Sequence, residues 1–145
     1  MSRILGLDIG LKRIGVAVSD PFGVTATPLE FILNDEKVFE KINDLIKNYK
    51  ISKIVIGLPL TLKGEEGEQA RYTKEFVENL KNHIPQDIEI IFVDERFTSS
   101  LAEKTLLQTK KKNKKEKIDS LSAVFILQTY LDRLSFSNEA TNYSY

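Results

Sequence analysis

Three places in this 145-residue sequence put carboxylates where they could do chemistry. Asp8 lies at the end of the apolar run Arg3–Ile9 (RILGLDI), Asp94-Glu95-Arg96 directly follows the apolar run Ile88–Val93 (IEIIFV), and Asp119 opens an apolar-periodic stretch. A charge at the end of a buried strand is costly unless something compensates it. Each acid also has a structural role open to it. Asp8 could close an Asx-type turn on the amides near Gly10, the Asp94-Glu95-Arg96 group could be a surface ion pair or Asp94 could cap the helix before Ser100, and Asp119 could be an N-cap. Taken together they suggest more. Acids that converge repel one another, and some stay protonated at neutral pH unless a cation joins them. The chain has no cysteine and one histidine, His83. An oxygen-only ligand set selects Mg²⁺ or Mn²⁺. Two such ions held by carboxylates can activate a water and stabilise the leaving oxygen of a phosphodiester. The absence of cysteine also excludes disulfides, thiolate catalysis and cysteine zinc sites.

The net charge of zero hides an asymmetry. Lys110–Lys117 (KKKNKKEK) carries six lysines and one glutamate, and the rest of the chain is correspondingly acidic, at −5. A basic loop on an acidic body suits a polyanion; its plain alternative is a solvated loop that favours solubility. The candidate phosphate contacts are therefore Lys110, Lys111, Lys112, Lys114, Lys115 and Lys117, with Lys12 near Asp8 and Arg96 beside Glu95. No apolar run is long enough to cross a membrane as a helix, and the N-terminus does not read as a secretory signal. The expectation is a cytoplasmic protein, monomer or weak dimer.

The elements that must position these residues follow from periodicity. Arg3–Ile9 and Ile14–Ser19 read as strands joined by a tight turn, and Val24–Pro28 as an edge strand ending at its proline. Val38, Ile42, Leu45, Ile46 and Tyr49 mark an amphipathic helix, with Asn34 or Asp35 as its cap. A strand at Lys53–Gly57 and a helix through Tyr72, Phe76, Val77, Leu80 and Ile84 follow, then the strand Ile88–Val93. Ser100 and Glu103 have capping-box spacing. A last helix runs from about Ile118 to Leu134 on a stripe of Leu121, Val124, Leu127, Leu131 and Leu134. Residues 1–134 thus read as one domain with a mobile lysine loop at 110–117, and 135–145 as a flexible tail. The element order predicts an α/β fold: a mixed five-stranded sheet, an antiparallel meander followed by parallel strands, with helices on both faces. In such open sheets ligands gather at the carboxyl ends of the strands.

Four ordered blocks, LGLDIGLKRIGVAVSD (Leu5–Asp20), IVIGLPL (Ile54–Leu60), DERFTS (Asp94–Ser99) and IDSLSAVFILQTYL (Ile118–Leu131), resemble the YqgF family. These are RuvC-resolvase-like proteins described as pre-16S rRNA nucleases or Holliday-junction resolvases. The resemblance covers about Arg3 to Leu134 and implies a ribonuclease H-like fold. It also implies that Asp8, Glu95 and Asp119 are the catalytic, metal-binding acids, and it selects Glu95 over Asp94. The implied activity is metal-dependent phosphodiester hydrolysis with two ions, acting on the 5′ end of precursor 16S rRNA, with the ribosome as a further partner and branched DNA as the alternative substrate. Thr61 stands where the family usually has Asn, the last helix has Leu121 and Ser122 where alanine is commoner, and the lysine loop is unusually dense. Two rival classes are an actin-like or sugar-kinase-like ATPase, for which the chain has only one lobe's worth of residues, and a non-catalytic RNA-binding module with structural acids.

Overall fold

The computed structural model describes residues 2–95 and 115–142, the side chains of the last helix being described from Ser120 to Leu134. In chain order the elements are β1 (Arg3–Ile9), β2 (Arg13–Ser19), β3 (Ala26–Leu33), α1 (Val38–Tyr49), β4 (Ile51–Leu58), α2 (Glu68–Lys81), β5 (Glu89–Asp94) and α3 (Lys115–Asn142). The strands form one five-stranded sheet in the order β3-β2-β1-β4-β5. β1, β2 and β3 pair antiparallel, whereas β1, β4 and β5 run parallel. This is the expected mixed sheet, and its central strand β1 carries Asp8.

Alternation along the strands sorts the two faces. Leu5, Leu7 and Ile9 of β1 and Ile54 and Ile56 of β4 join a core with Ile42 and Ile46 of α1 and Phe76, Val77 and Leu80 of α2. Ala17, Val55 and Val93 turn to the other face and pack on Ala123, Ile126, Leu127 and Leu131 of α3. Each fully buried aliphatic side chain contributes roughly 1.5–3 kcal/mol of transfer free energy, so both faces are strongly covered.

Four local expectations differ from what is observed. β3 does not stop at Pro28 but continues to Leu33. It has a single neighbour, and an edge strand tolerates a residue without an N–H. Neither Asn34 nor Asp35 is the N-cap of α1. That position is Lys37, with no side-chain cap bond. Asp35 accepts instead from the Lys37 amide at 2.9 Å in the preceding turn. The buried face of α3 is centred on Ser120, Ala123, Ile126, Leu127 and Leu131, while Leu134 is exposed. Leu127 and Leu131 of the expected stripe lie in this face, whereas Leu121 and Val124 are half-buried to one side of it, and the helix packs closely on the sheet. A Cβ on Gly6 would fall 2.7 Å from Leu127 Cβ and 3.1 Å from the Ala123 carbonyl oxygen. Gly6 thus leaves room for the Leu127 side chain and the Ala123 carbonyl. α3 also starts inside the lysine-rich segment, at Lys115, and runs to Asn142, so 135–142 is helical rather than an irregular tail. The helix expected from Ser100 and Glu103 lies outside the described residues.

Candidate active site

Asp8 shares its face of β1 with Gly6, two residues away, and therefore points to the α3 side. Val55 and Gly57 do the same on β4, the adjacent parallel strand, where Leu7 pairs with Ile56. Val93 faces α3 from β5, which pairs Gly57 with Val93 and Leu58 with Asp94. Glu95 follows immediately after β5. A Cβ on Gly57 would fall 2.5 Å from Glu95 Oε1 and closer still to Ile126 Cδ1. The missing side chain on the middle strand is thus the space through which the β5 carboxyl reaches toward the β1 carboxyl.

Glu95 and Asp8 meet. Burial, the negative charge of Asp8, a hydrogen bond between the two side chains and the charge of Asp94 together push the Glu95 carboxyl from 4.5 up to about 7. Near neutral pH the pair holds one proton for part of the time, with the Glu95 hydroxyl donating to the Asp8 carboxylate. The two acids come from β1 and from just past β5, on either side of β4, and their mutual repulsion favours keeping a proton between them.

Helix α3 sets the third wall. Buried Ser120 donates to the Leu29 carbonyl at 2.6 Å and accepts from the Val16 amide at 3.3 Å. That amide lies at the register shift between Ile14 and Val16 in the β2–β3 pairing. Gln128, two turns on, accepts from the Ala26 amide at 3.0 Å and donates to the Val24 carbonyl at 2.9 Å. These two pins orient α3 antiparallel to β1. Moving toward its N-terminus leads from Gly6 past Val16, which pairs with Leu7, toward the end of β1 where Asp8 pairs with Gly15. Asp119 directly precedes Ser120 on this approach, one helical turn before Ala123. Its side chain lies outside the described residues.

Among the described residues no group of three potential metal ligands is assembled; the acids brought together there are Asp8 and Glu95. Lys12 is exposed in the β1–β2 turn beyond Asp8. Arg96 and Lys110, Lys111, Lys112 and Lys114 lie outside the described residues, and Lys115 and Lys117 are in the first turn of α3 with side chains outside them. His83 does not approach the site. It stacks on Phe39 with ring centroids 4.6 Å apart, and its Nδ1 lies 2.8 Å from the Asn79 carbonyl oxygen.

Sequence reasoning missed Gly57, Ser120 and Asn34. The Asn34 side chain donates to the Gly10 carbonyl at 2.9 Å and lies 2.7 Å from the Tyr72 hydroxyl, and its amide donates to the Lys12 carbonyl at 2.9 Å. It therefore holds the turn that follows Asp8. The one sequence signal for Ser120 was a small polar residue inside an apolar helix, and Gly57 was readable only as the end of a strand.

The family model for RuvX, described as Holliday junction resolvase, matches residues 2–133. The chain belongs to the RuvX family. Among RuvX relatives, a protein of Lactococcus lactis subsp. lactis strain IL1403 named "Putative pre-16S rRNA nuclease" is 44% identical over 137 residues, covering 90% of this chain and 94% of that one. A protein of Listeria monocytogenes serotype 4b strain CLIP80459 with the same name is 41% identical over 136 residues, covering 90% of this chain and 97% of its own. Among solved structures, Thermus thermophilus RuvC in complex with a Holliday junction substrate matches with a TM-score of 0.58 at 12% identity, over 92% of this chain and 96% of that one. Fowlpox virus resolvase with Holliday junction DNA matches with a TM-score of 0.58 at 14% identity, over 91% and 98%. The YqgF resemblance and the ribonuclease H-like fold are therefore borne out. No helix among the described residues is long and apolar enough to cross a membrane.

Proposed function

We propose that this RuvX protein is a divalent-metal-dependent nuclease that hydrolyses phosphodiester bonds, with Asp8, Glu95 and Asp119 as its catalytic and metal-holding acids. The observation that carries the reading is the Asp8–Glu95 pair, drawn together over Gly57 at the carboxyl ends of parallel strands and sharing a proton. Its donors are hard carboxylate oxygens, and the sole histidine is engaged elsewhere, a set that fits Mg²⁺ or Mn²⁺ and not a softer metal. Asp8 and Glu95 would hold the ions, with Asp119 arriving from α3. When bound, the ions supply Lewis-acid activation of a water and of the phosphoryl oxygens. Glu95 would release its shared proton to solvent when a cation is held, leaving both carboxylates charged and acceptor-only. Asp8, on the central strand between two neighbours, keeps the pair fixed while substrate arrives. Lys12, Arg96 and the lysines at 110–112, 114, 115 and 117 would neutralise substrate phosphates without reading sequence.

The relatives' names favour the precursor of 16S rRNA as substrate; we place the cut at its 5′ end, in the cytoplasm during ribosome assembly, as part of the same proposal. The description of the family model favours a second substrate, a four-way DNA junction. The test is to incubate the protein with each, in Mg²⁺, Mn²⁺ or chelator, beside Asp8→Asn, Glu95→Gln and Asp119→Asn. Metal-dependent cleavage lost in all three variants, with folding retained, is the expected result. Cleavage that survives chelation, or full activity in Asp119→Asn, would overturn the assignment it addresses.

A further inference from the structure

Two tight turns project from the site end of the sheet, and both have the same pair of residues at the tip. The first joins β1 to β2. The Gly10 amide donates to the Arg13 carbonyl at 3.0 Å, leaving Leu11 and Lys12 at the apex. The second follows β4, where Leu60 bridges to Glu66. There the Gly64 amide donates to the Thr61 carbonyl at 2.8 Å and the Thr61 amide to the Glu65 carbonyl at 2.9 Å, leaving Leu62 and Lys63 at the apex. Because β1 and β4 are adjacent and parallel, both tips leave the same end of the sheet, the end that carries Asp8 and Glu95.

Leu11 is 66% exposed and Leu62 97% exposed. A leucine alone on a surface needs no explanation. Here two sit on turns that are held in place. Asn34 secures the first from below through its bonds to Gly10 and Lys12. The second is closed by the Thr61 hydroxyl, which accepts from the Glu65 amide at 3.1 Å, and is tied to α2 by the Glu66–Lys74 ion pair. Each leucine is therefore displayed at low further entropic cost, and each is followed by a lysine whose charge suits a partner with apolar surface close behind anionic groups, Glu66 of the second turn being neutralised by Lys74. Nucleic acid has that composition, phosphates outside and base faces within. Apolar side chains contact base faces where stacking is interrupted, wedging into the step.

We propose that Leu11 and Leu62 are specificity-determining contacts to unstacked bases at a fork or branch, with Lys12 and Lys63 on the flanking phosphates. This rests on the nuclease reading and names the feature of the substrate that the site selects. An RNA stem opening into single strands and a four-way DNA junction both offer such a step, and the two are the arms of the test.

The full chain, without divalent metal, is titrated into each branched substrate carrying 2-aminopurine at the branch, and into an uninterrupted duplex of equal length. Wild type should raise the fluorescence in at least one arm, and that arm identifies the polymer. Leu11→Ala/Leu62→Ala should abolish the rise and lower the branched-over-duplex affinity ratio about tenfold, within the range of single base contacts. Lys12→Ala/Lys63→Ala should weaken all substrates alike and reduce the slope of log affinity against log salt by about two. A double leucine variant that keeps both the fluorescence rise and the ratio overturns the wedge and leaves the nuclease reading intact. Wild-type protein that binds neither branched nor plain nucleic acid overturns both.

Discussion

The shared proton between Asp8 and Glu95 makes the metal-free protein lose stability as pH rises, and Glu95→Gln should remove that dependence. The Glu95 carboxyl titrates near 4.5 when unperturbed and at about 7 in the folded chain. Between those values the native state binds more protons than the unfolded state. The stability linked to this group is fully present below about pH 4.5 and is lost as pH rises through 7. The full rise corresponds to about 3.4 kcal/mol at 1.36 kcal/mol per pH unit. Both carboxyls are only half-buried, so solvent screening reduces this to roughly 1–2 kcal/mol. Glutamine keeps a donor toward Asp8 and cannot ionise. Urea unfolding in chelator at pH 5, 6, 7 and 8 should therefore show wild type falling by about 1–2 kcal/mol relative to Glu95→Gln across the series, a difference of a few degrees in Tm for a chain this long. Taking the difference between the two proteins cancels the other titrating groups. Adding Mg²⁺ at pH 8 should restore wild type and leave the variant nearly unchanged. Two pH profiles that stay parallel within about 0.3 kcal/mol, or that diverge in the opposite sense, would refute the shared proton.

Gly57→Ala should destabilise the chain by about 1–3 kcal/mol through overpacking against Ile126, and should also displace Glu95, so that activity falls more than stability explains; urea unfolding and cleavage assays measure the two separately. Ser120→Ala leaves the buried Val16 amide without its acceptor and should cost about 1–3 kcal/mol in the same unfolding assay, with cleavage reduced because α3 loses one of its two pins. Gly6→Ala forces α3 away from the sheet and should be the most damaging of the three, at the upper end of the roughly 1–3 kcal/mol range for overpacking, read as a lowered Tm.

Much of the architecture is legible in the order of residue types. The run RILGLDI can be buried only as a central strand, and the changes between period-2 and helical patterning separate the meander from the parallel half. The absence of cysteine and the near-absence of histidine restrict any metal to oxygen ligands before a coordinate is known. These properties are local, since they depend on what a short stretch can bury or bind. Asp8 was identifiable for the same reason, as a charge at the end of an apolar strand.

The meeting of Asp8 with Glu95 is of another kind. It depends on β4 lying between β1 and β5 in the sheet and on Gly57 lacking a side chain at the point of passage. Neither follows from the residues adjacent to either acid. The face that α3 presents likewise depends on a close approach to Gly6 and on an amide at a register shift, which add Ala123 and Ser120 to Leu127 and Leu131 and leave Leu121 and Leu134 outside the buried face. Local chemistry names the candidate groups, because hydrophobicity and charge belong to each residue. Their distances and proton affinities arise from strand order and helix packing, which join residues 87 positions apart in the chain through contacts that no short segment encodes.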